Sequence, residues 1–137
     1  MAVYNKYTSG VDGLVKAMNS GTDAFKVALA NTVNAADTTF VAGTTDLATG
    51  SGYTAGGNAA STSTATTTAG VFKLVLSSPA TWTATGGSIG PFRYAILWDS
   101  TTSTPLGYWD YGSSITLASG ESFSASLDAT NGVYTVT

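Results

Sequence analysis

A period of two in the apolar residues governs this chain. Phe123, Ala125 and Leu127 alternate with Ser122, Ser124 and Ser126. An extended backbone puts the first three on one face and the serines on the other, which no helix can do. Phe25, Val27 and Leu29 alternate in the same way with Lys26, Ala28 and Ala30. So do Phe72, Leu74 and Leu76 with Val71, Lys73 and Val75, and Phe92, Tyr94, Ile96 and Trp98 with Arg93, Ala95 and Leu97. Ile115 and Leu117 form a shorter case, and residues 106–111 and 133–137 also read as strands.

Turn chemistry separates these runs. Asn131-Gly132, Ser119-Gly120, the polar loop from Asp99 to Pro105 and the glycine-rich bend Gly86-Gly-Ser-Ile89-Gly-Pro91 each fall between two alternating segments. Short strands at such spacing predict a sandwich or barrel. One helix is expected, because Tyr7, Val11, Leu14, Val15 and Met18 form a single apolar stripe. Ser9 and Asp12 open it as a capping-box-like start, and Asn19-Ser20-Gly21 closes it. The expected fold is mainly β: a jelly-roll-like antiparallel β-sandwich with one short N-terminal α-helix. Residues 1–137 form a single domain, with an arm and helix over 1–21 and the sandwich over 22–137, including an extended uncharged loop near 43–58.

Composition then limits the chemistry. Of 137 residues, 24 are Thr, 16 Ser, 20 Ala and 16 Gly, and only 13 are charged. Disorder is not the expected outcome, because 43% of the chain is hydrophobic. With no Cys, thiolate zinc sites and cysteine nucleophiles are excluded; with no His, so are the usual general base and metal ligand. A net charge of −3 argues against nucleic-acid binding, which needs a basic patch. A surface with so little charge is poorly defended against association, so a partner or copies of itself are expected. No charged residue falls between Leu47 and Phe72, and Ala59 to Thr68 is wholly Ala, Ser and Thr. This segment reads as a surface loop and an edge strand, and an uncharged edge invites pairing.

The N-terminal residues lack the apolar core of a signal peptide, Ala2 follows the initiator Met where myristoylation needs Gly, and no apolar run approaches bilayer length. Synthesis in the cytoplasm, without a membrane anchor, is expected.

Few residues could carry a reaction. Asp99 and Asp110 near Tyr108, Trp109 and Tyr111 could serve a glycosidase if the two carboxyls converged. The same aromatics could stack sugar rings. The simpler reading buries Trp109 or Tyr108 in the core and leaves Asp110 at a turn or in water. Asp128 with Asn131 fits turn chemistry better than calcium ligation, and the Gly86–Gly90 bend lacks the helix a phosphate loop requires. No catalytic residue, metal or cofactor is assigned.

Several strings resemble a family of tailed-bacteriophage capsid cement, or decoration, proteins. They are Gly52-Tyr53-Thr-Ala-Gly-Gly57, Trp82-Thr-Ala-Thr-Gly-Gly-Ser-Ile89-Gly-Pro-Phe92-Arg-Tyr94-Ala, and Tyr108-Trp109-Asp110-Tyr111-Gly-Ser-Ser-Ile115-Thr-Leu. Tyr4-Asn-Lys-Tyr7 and Phe25-Lys-Val27-Ala-Leu29 also fit. The resemblance implies a non-enzymatic virion protein on the outer capsid surface. It implies binding to the phage major capsid protein in multiple copies, dimers favoured, with no nucleic acid or membrane partner. The Ser/Thr/Ala-rich middle and the few acidic residues in the expected helix depart from the family pattern. Candidate contact residues are Tyr4 and Tyr7 of the arm, Tyr53 of the loop, Ile89 of the bend and Trp109. Each also has a plain structural reading, as helix staple, loop, strand connection or core. A tail- or fibre-associated virion protein or a glycan-binding module, using Trp109, is the alternative.

Overall fold

A computed structural model describes residues 2–7 and 22–136. The expected helix begins at Ser9 and lies outside the described residues. Within them the chain forms ten strands: β1 (Val3–Lys6), β2 (Phe25–Ala30), β3 (Asn58–Ala59), β4 (Thr62–Thr68), β5 (Val71–Leu76), β6 (Trp82–Thr83), β7 (Ile89–Asp99), β8 (Thr104–Leu117), β9 (Ser122–Phe123) and β10 (Tyr134–Val136). They build a five-stranded sheet in the order β1-β8-β7-β2-β3, a three-stranded sheet β10-β5-β4 and a two-stranded ribbon β6-β9. All pairings are antiparallel.

The main core lies where the two larger sheets pack. Phe25, Val27 and Leu29 of β2 meet Leu74 and Leu76 of β5, with Ala95 and Leu97 of β7, Leu106 and Trp109 of β8 and Tyr134 of β10 around them. The ribbon and the segment after it close one end with Trp82, Phe123, Ala125 and Leu127. The period-two reading of 25–29, 72–76 and 123–127 therefore names core residues on both sides of the sandwich.

One face assignment changes. Phe92, Tyr94, Ile96 and Trp98 do not share a face, because the β7–β8 register shifts between Phe92 and Tyr94. Between those residues β7 advances two positions while β8 runs from Ile115 to Asp110, and the β7 side chains beyond this irregularity face the other way. Phe92 thus points into the main core with Ala95 and Leu97, while Ile96 and Trp98 point the other way. On that outer face they join Tyr7, Ala28, Ala30 and Phe40 in a second cluster. Phe40 stacks on Trp98 with ring centroids 4.0 Å apart and planes at 16°. The five-stranded sheet is consequently buried on both faces near its centre, which explains why β7 reads as an unbroken apolar run from Ala95 to Trp98.

The segment near 43–58 is also different from expectation. It is a series of turns rather than an extended loop, and it contains a charge, Asp46. The strands expected at 106–111 and 114–118 merge into the single strand β8, whereas only Ser122–Phe123 of the 122–127 run pairs as a strand.

Candidate functional site

The loop before β3 is organised by Asp46. This carboxylate is 8% exposed. It accepts hydrogen bonds from the Gly43 amide (2.6 Å), the Gly56 amide (2.6 Å) and the Tyr53 hydroxyl (2.5 Å). Three donors, two of them backbone, offset the desolvation of a buried carboxylate. Tyr53 in turn accepts a hydrogen bond from the Leu29 amide of β2 at 3.0 Å. Burial first, and the bond to Asp46 second, push its phenol far above the usual tyrosine range.

The loop runs along the outer edge of β2 and occupies the edge's backbone groups. The Leu47 amide donates to the Leu29 carbonyl (2.9 Å), β3 pairs with Lys26 and Val27, and the Ala60 amide donates to the Phe25 carbonyl (2.9 Å). Gly57 is required for this approach: its φ is +76°, and a Cβ there would lie 1.9 Å from the Val27 carbonyl oxygen. Trp98 Nε1 donates to the Gly56 carbonyl at 2.9 Å, which ties the loop to β7 as well.

Of the five residues singled out from the sequence, Tyr7, Tyr53, Ile89 and Trp109 are buried, and Tyr4 is half-buried against the main core. Tyr53 and Ile89, each 2% exposed, come together beside a shallow cleft of about 200 Å³ that Leu47, Ala48, Ser51 and Ser88 also line. Ile89 faces Leu117 across the β7–β8 ladder. Tyr4 pairs with Trp109 across β1–β8, with ring centroids 4.8 Å apart, and meets Tyr134 edge-on at 6.3 Å. Trp109 is 9% exposed, so its ring is not presented as a platform for a sugar. Tyr7 is fully buried in the outer cluster, edge-on to Tyr108. Any surface made near these residues is made by their neighbours.

Asp99 and Asp110 are not brought together. Asp110 lies opposite Tyr94, whereas Asp99 ends β7 at the tip of the hairpin. Five residues of strand separate those levels, about 17 Å. Glycosidase carboxyls stand roughly 5–10 Å apart. Asp110 is held by Arg93 through two bonds of 2.7 and 2.9 Å and accepts the Gly112 amide at 2.8 Å. The Arg93 guanidinium, then that amide, lower its carboxyl below the usual range. Asp99 is fully buried, and its Oδ1 accepts the Thr101 and Thr102 amides at 2.9 and 3.2 Å. Burial, followed by the adjacent Asp23 carboxyl, pushes Asp99 up to about 6.

Other charges fix turns. Asp128 accepts the amides of Thr130 and Asn131, both at 2.8 Å, which realises the turn expected there. Glu121 accepts the Ala118 amide at 2.7 Å, and Lys73 Nζ donates to the Thr130 carbonyl at 2.8 Å. Asp46 was the functional group missing from the sequence reading. Its one signal is a lone carboxylate among glycines, Gly43 before it and Gly56-Gly57 after. Comparison with protein-family models, with curated proteins and with solved structures found no match to this chain.

Proposed function

We propose that this chain is a non-enzymatic virion protein that binds the outer surface of a bacteriophage capsid and cements adjacent major capsid protein subunits. The observation that carries the reading is the use of its few charges. Asp46, Lys73, Arg93, Asp110, Glu121 and Asp128 all hold turns or strand pairs within the chain. Much of the exposed surface among the described residues is hydroxyl, glycine and alanine, beside Val3, Val41 and a few charges such as Lys6. Such a surface can be covered by a partner with little charge desolvation. A repeated contact across two capsid subunits gains strength from effective concentration, without a reaction centre. The resemblance of the strings around Tyr53, Trp82–Ala95 and Tyr108–Leu117 supports the same reading, since these strings build the scaffold.

In this proposal the sandwich is jelly-roll-like, and the neighbour pairs β1–β8 and β2–β7, distant in sequence, support that topology. Copies act as homo-oligomers on the particle. The test is to mix the purified chain with expanded, empty capsids of a tailed phage lacking decoration. Co-sedimentation with the capsids and a raised capsid melting temperature are expected. No binding to capsids, with the protein found on isolated tails, would overturn the proposal.

A further inference from the structure

The four outer strands of the two larger sheets are not treated alike. β3 has two residues, β10 three and β1 four, the last ending in Lys6. The edge of β2 beyond β3 is covered by the loop that Asp46 holds. β4 has seven residues, Thr-Ser-Thr-Ala-Thr-Thr-Thr, and pairs with β5 alone among the described residues. It carries none of the devices that keep free edges apart: no charge, no proline, and a register irregularity only at its start, between Thr62 and Thr64. We propose that β4 is the contact for a second copy of this chain, pairing antiparallel with its own counterpart so that two three-stranded sheets join into one of six strands.

The occupant follows from charge and pattern. Each copy carries −3, so contact between copies is least opposed where neither is charged. β4 lies in the longest uncharged run of the sequence, Leu47 to Phe72. The nearby Lys73 directs its ammonium to the Thr130 carbonyl, on the far side of β5 from β4 in the sheet order. Ala65 packs toward the core, while Thr64, Thr66 and Thr68 line a groove of about 400 Å³ on the opposite face with Val71 and Lys73. A two-fold axis through Ala65 sets Thr64 against the partner's Thr66 and Thr66 against the partner's Thr64. A hydroxyl both donates and accepts, so identical threonines satisfy one another across such an axis. Both backbones then fill edge groups along Thr64–Thr68, to which no other described strand is bonded.

The pairing does not depend on a capsid, so it is tested on the full chain alone by sedimentation velocity over a concentration series. The wild type is expected to dimerise reversibly. Thr64→Lys/Thr66→Lys places like charges directly opposite each other and should weaken the dimer at least about tenfold. Thr64→Glu/Thr66→Lys places opposite charges there and should restore it. Unchanged far-ultraviolet spectra and melting would show that both variants fold. A wild type that stays monomeric overturns the proposal. So does a dimer that both variants leave unaltered, or one that the Glu/Lys pair fails to restore. Capsid binding by a chain that stays monomeric would leave the cement reading standing while rejecting this contact.

Discussion

Tyr53 and Asp46 share a buried hydrogen bond of 2.5 Å, and through the Leu29 amide that bond fastens the loop before β3 to the second strand. Two requirements meet in one hydroxyl. Asp46 needs a third donor beyond the Gly43 and Gly56 amides, and Leu29 needs an acceptor at a position where no strand continues the sheet.

Removing only that hydroxyl should therefore cost more than one ordinary hydrogen bond. Tyr53→Phe keeps the ring in the core but leaves a buried amide unpaired and a buried carboxylate short of a donor. The expected loss is about 2–3 kcal/mol, read from urea unfolding. A loss below about 0.5 kcal/mol would mean that water or a loop shift replaces the hydroxyl, and the fastening role would be wrong.

The sequence exposed the sandwich wherever a strand keeps its register. Phe25, Val27 and Leu29, or Phe72, Leu74 and Leu76, face one core because nothing interrupts their alternation. Phe92 and Ile96 break the pattern because a bulge has no composition of its own; it is visible only once β8 lies alongside. Asp46 was hidden for a related reason. Two of its three partners are glycine amides, which carry no side-chain signature. The aromatic candidates illustrate a third limit. Tyr4, Tyr7, Tyr53 and Trp109 have side chains equally suited to an interface or a core, and the choice is made by neighbours such as Tyr134 and Leu106 that lie far away in sequence.

Asp99 gives the molecule an unusual pH dependence. Its carboxyl is pushed up to about 6, whereas an unfolded aspartate titrates near ~3.9. Between those values the native state binds more protons than the unfolded state. The associated stability is fully present below about pH 4 and lost as the pH rises through about 6, on the order of 1–3 kcal/mol. Asp110 and Asp128 act with the opposite sign, since both are lowered in the fold. Their stabilisation is present above about pH 4 and lost as the pH falls further. Unfolding free energy measured against pH should decline from about 4 to 7. That decline should flatten in Asp99→Asn while the acid limb persists. An unchanged profile in Asp99→Asn would assign the decline to another group.

Ala69 offers a stabilising change. Thr68 pairs with Val71, so Ala69-Gly70 is a two-residue hairpin loop, with φ of +51° and +79°. Both values suit a type I′ turn, in which alanine is a poor first residue and asparagine a favoured one. Ala69 is exposed, so a longer side chain meets solvent. Ala69→Asn should raise stability by roughly 0.5–1 kcal/mol, seen as a higher urea midpoint with the same slope. A lower midpoint would show that the β4–β5 turn does not hold these angles in solution.

The arm and the hairpin strand fit at Gly107 with no room to spare. Gly107 lies opposite Lys6 on β1, and the Tyr4 ring leans across it: a Cβ at 107 would come within 2.0 Å of the Tyr4 hydroxyl oxygen. Gly107→Ala must then displace either the ring or β1, with an overpacking cost of about 1–3 kcal/mol. Tyr4→Ala alone loses the contacts with Trp109 and Tyr134, at a cost of about 3 kcal/mol for a half-buried aromatic. If the steric conflict is the cause, the two changes cannot add. In a Tyr4→Ala background, Gly107→Ala should cost less than about 0.5 kcal/mol, because the space the new methyl needs has been vacated. A double-mutant cycle on urea unfolding measures this directly. Equal costs in both backgrounds would place the constraint on the β8 backbone at Gly107, and would remove Tyr4 as the residue that demands a glycine there.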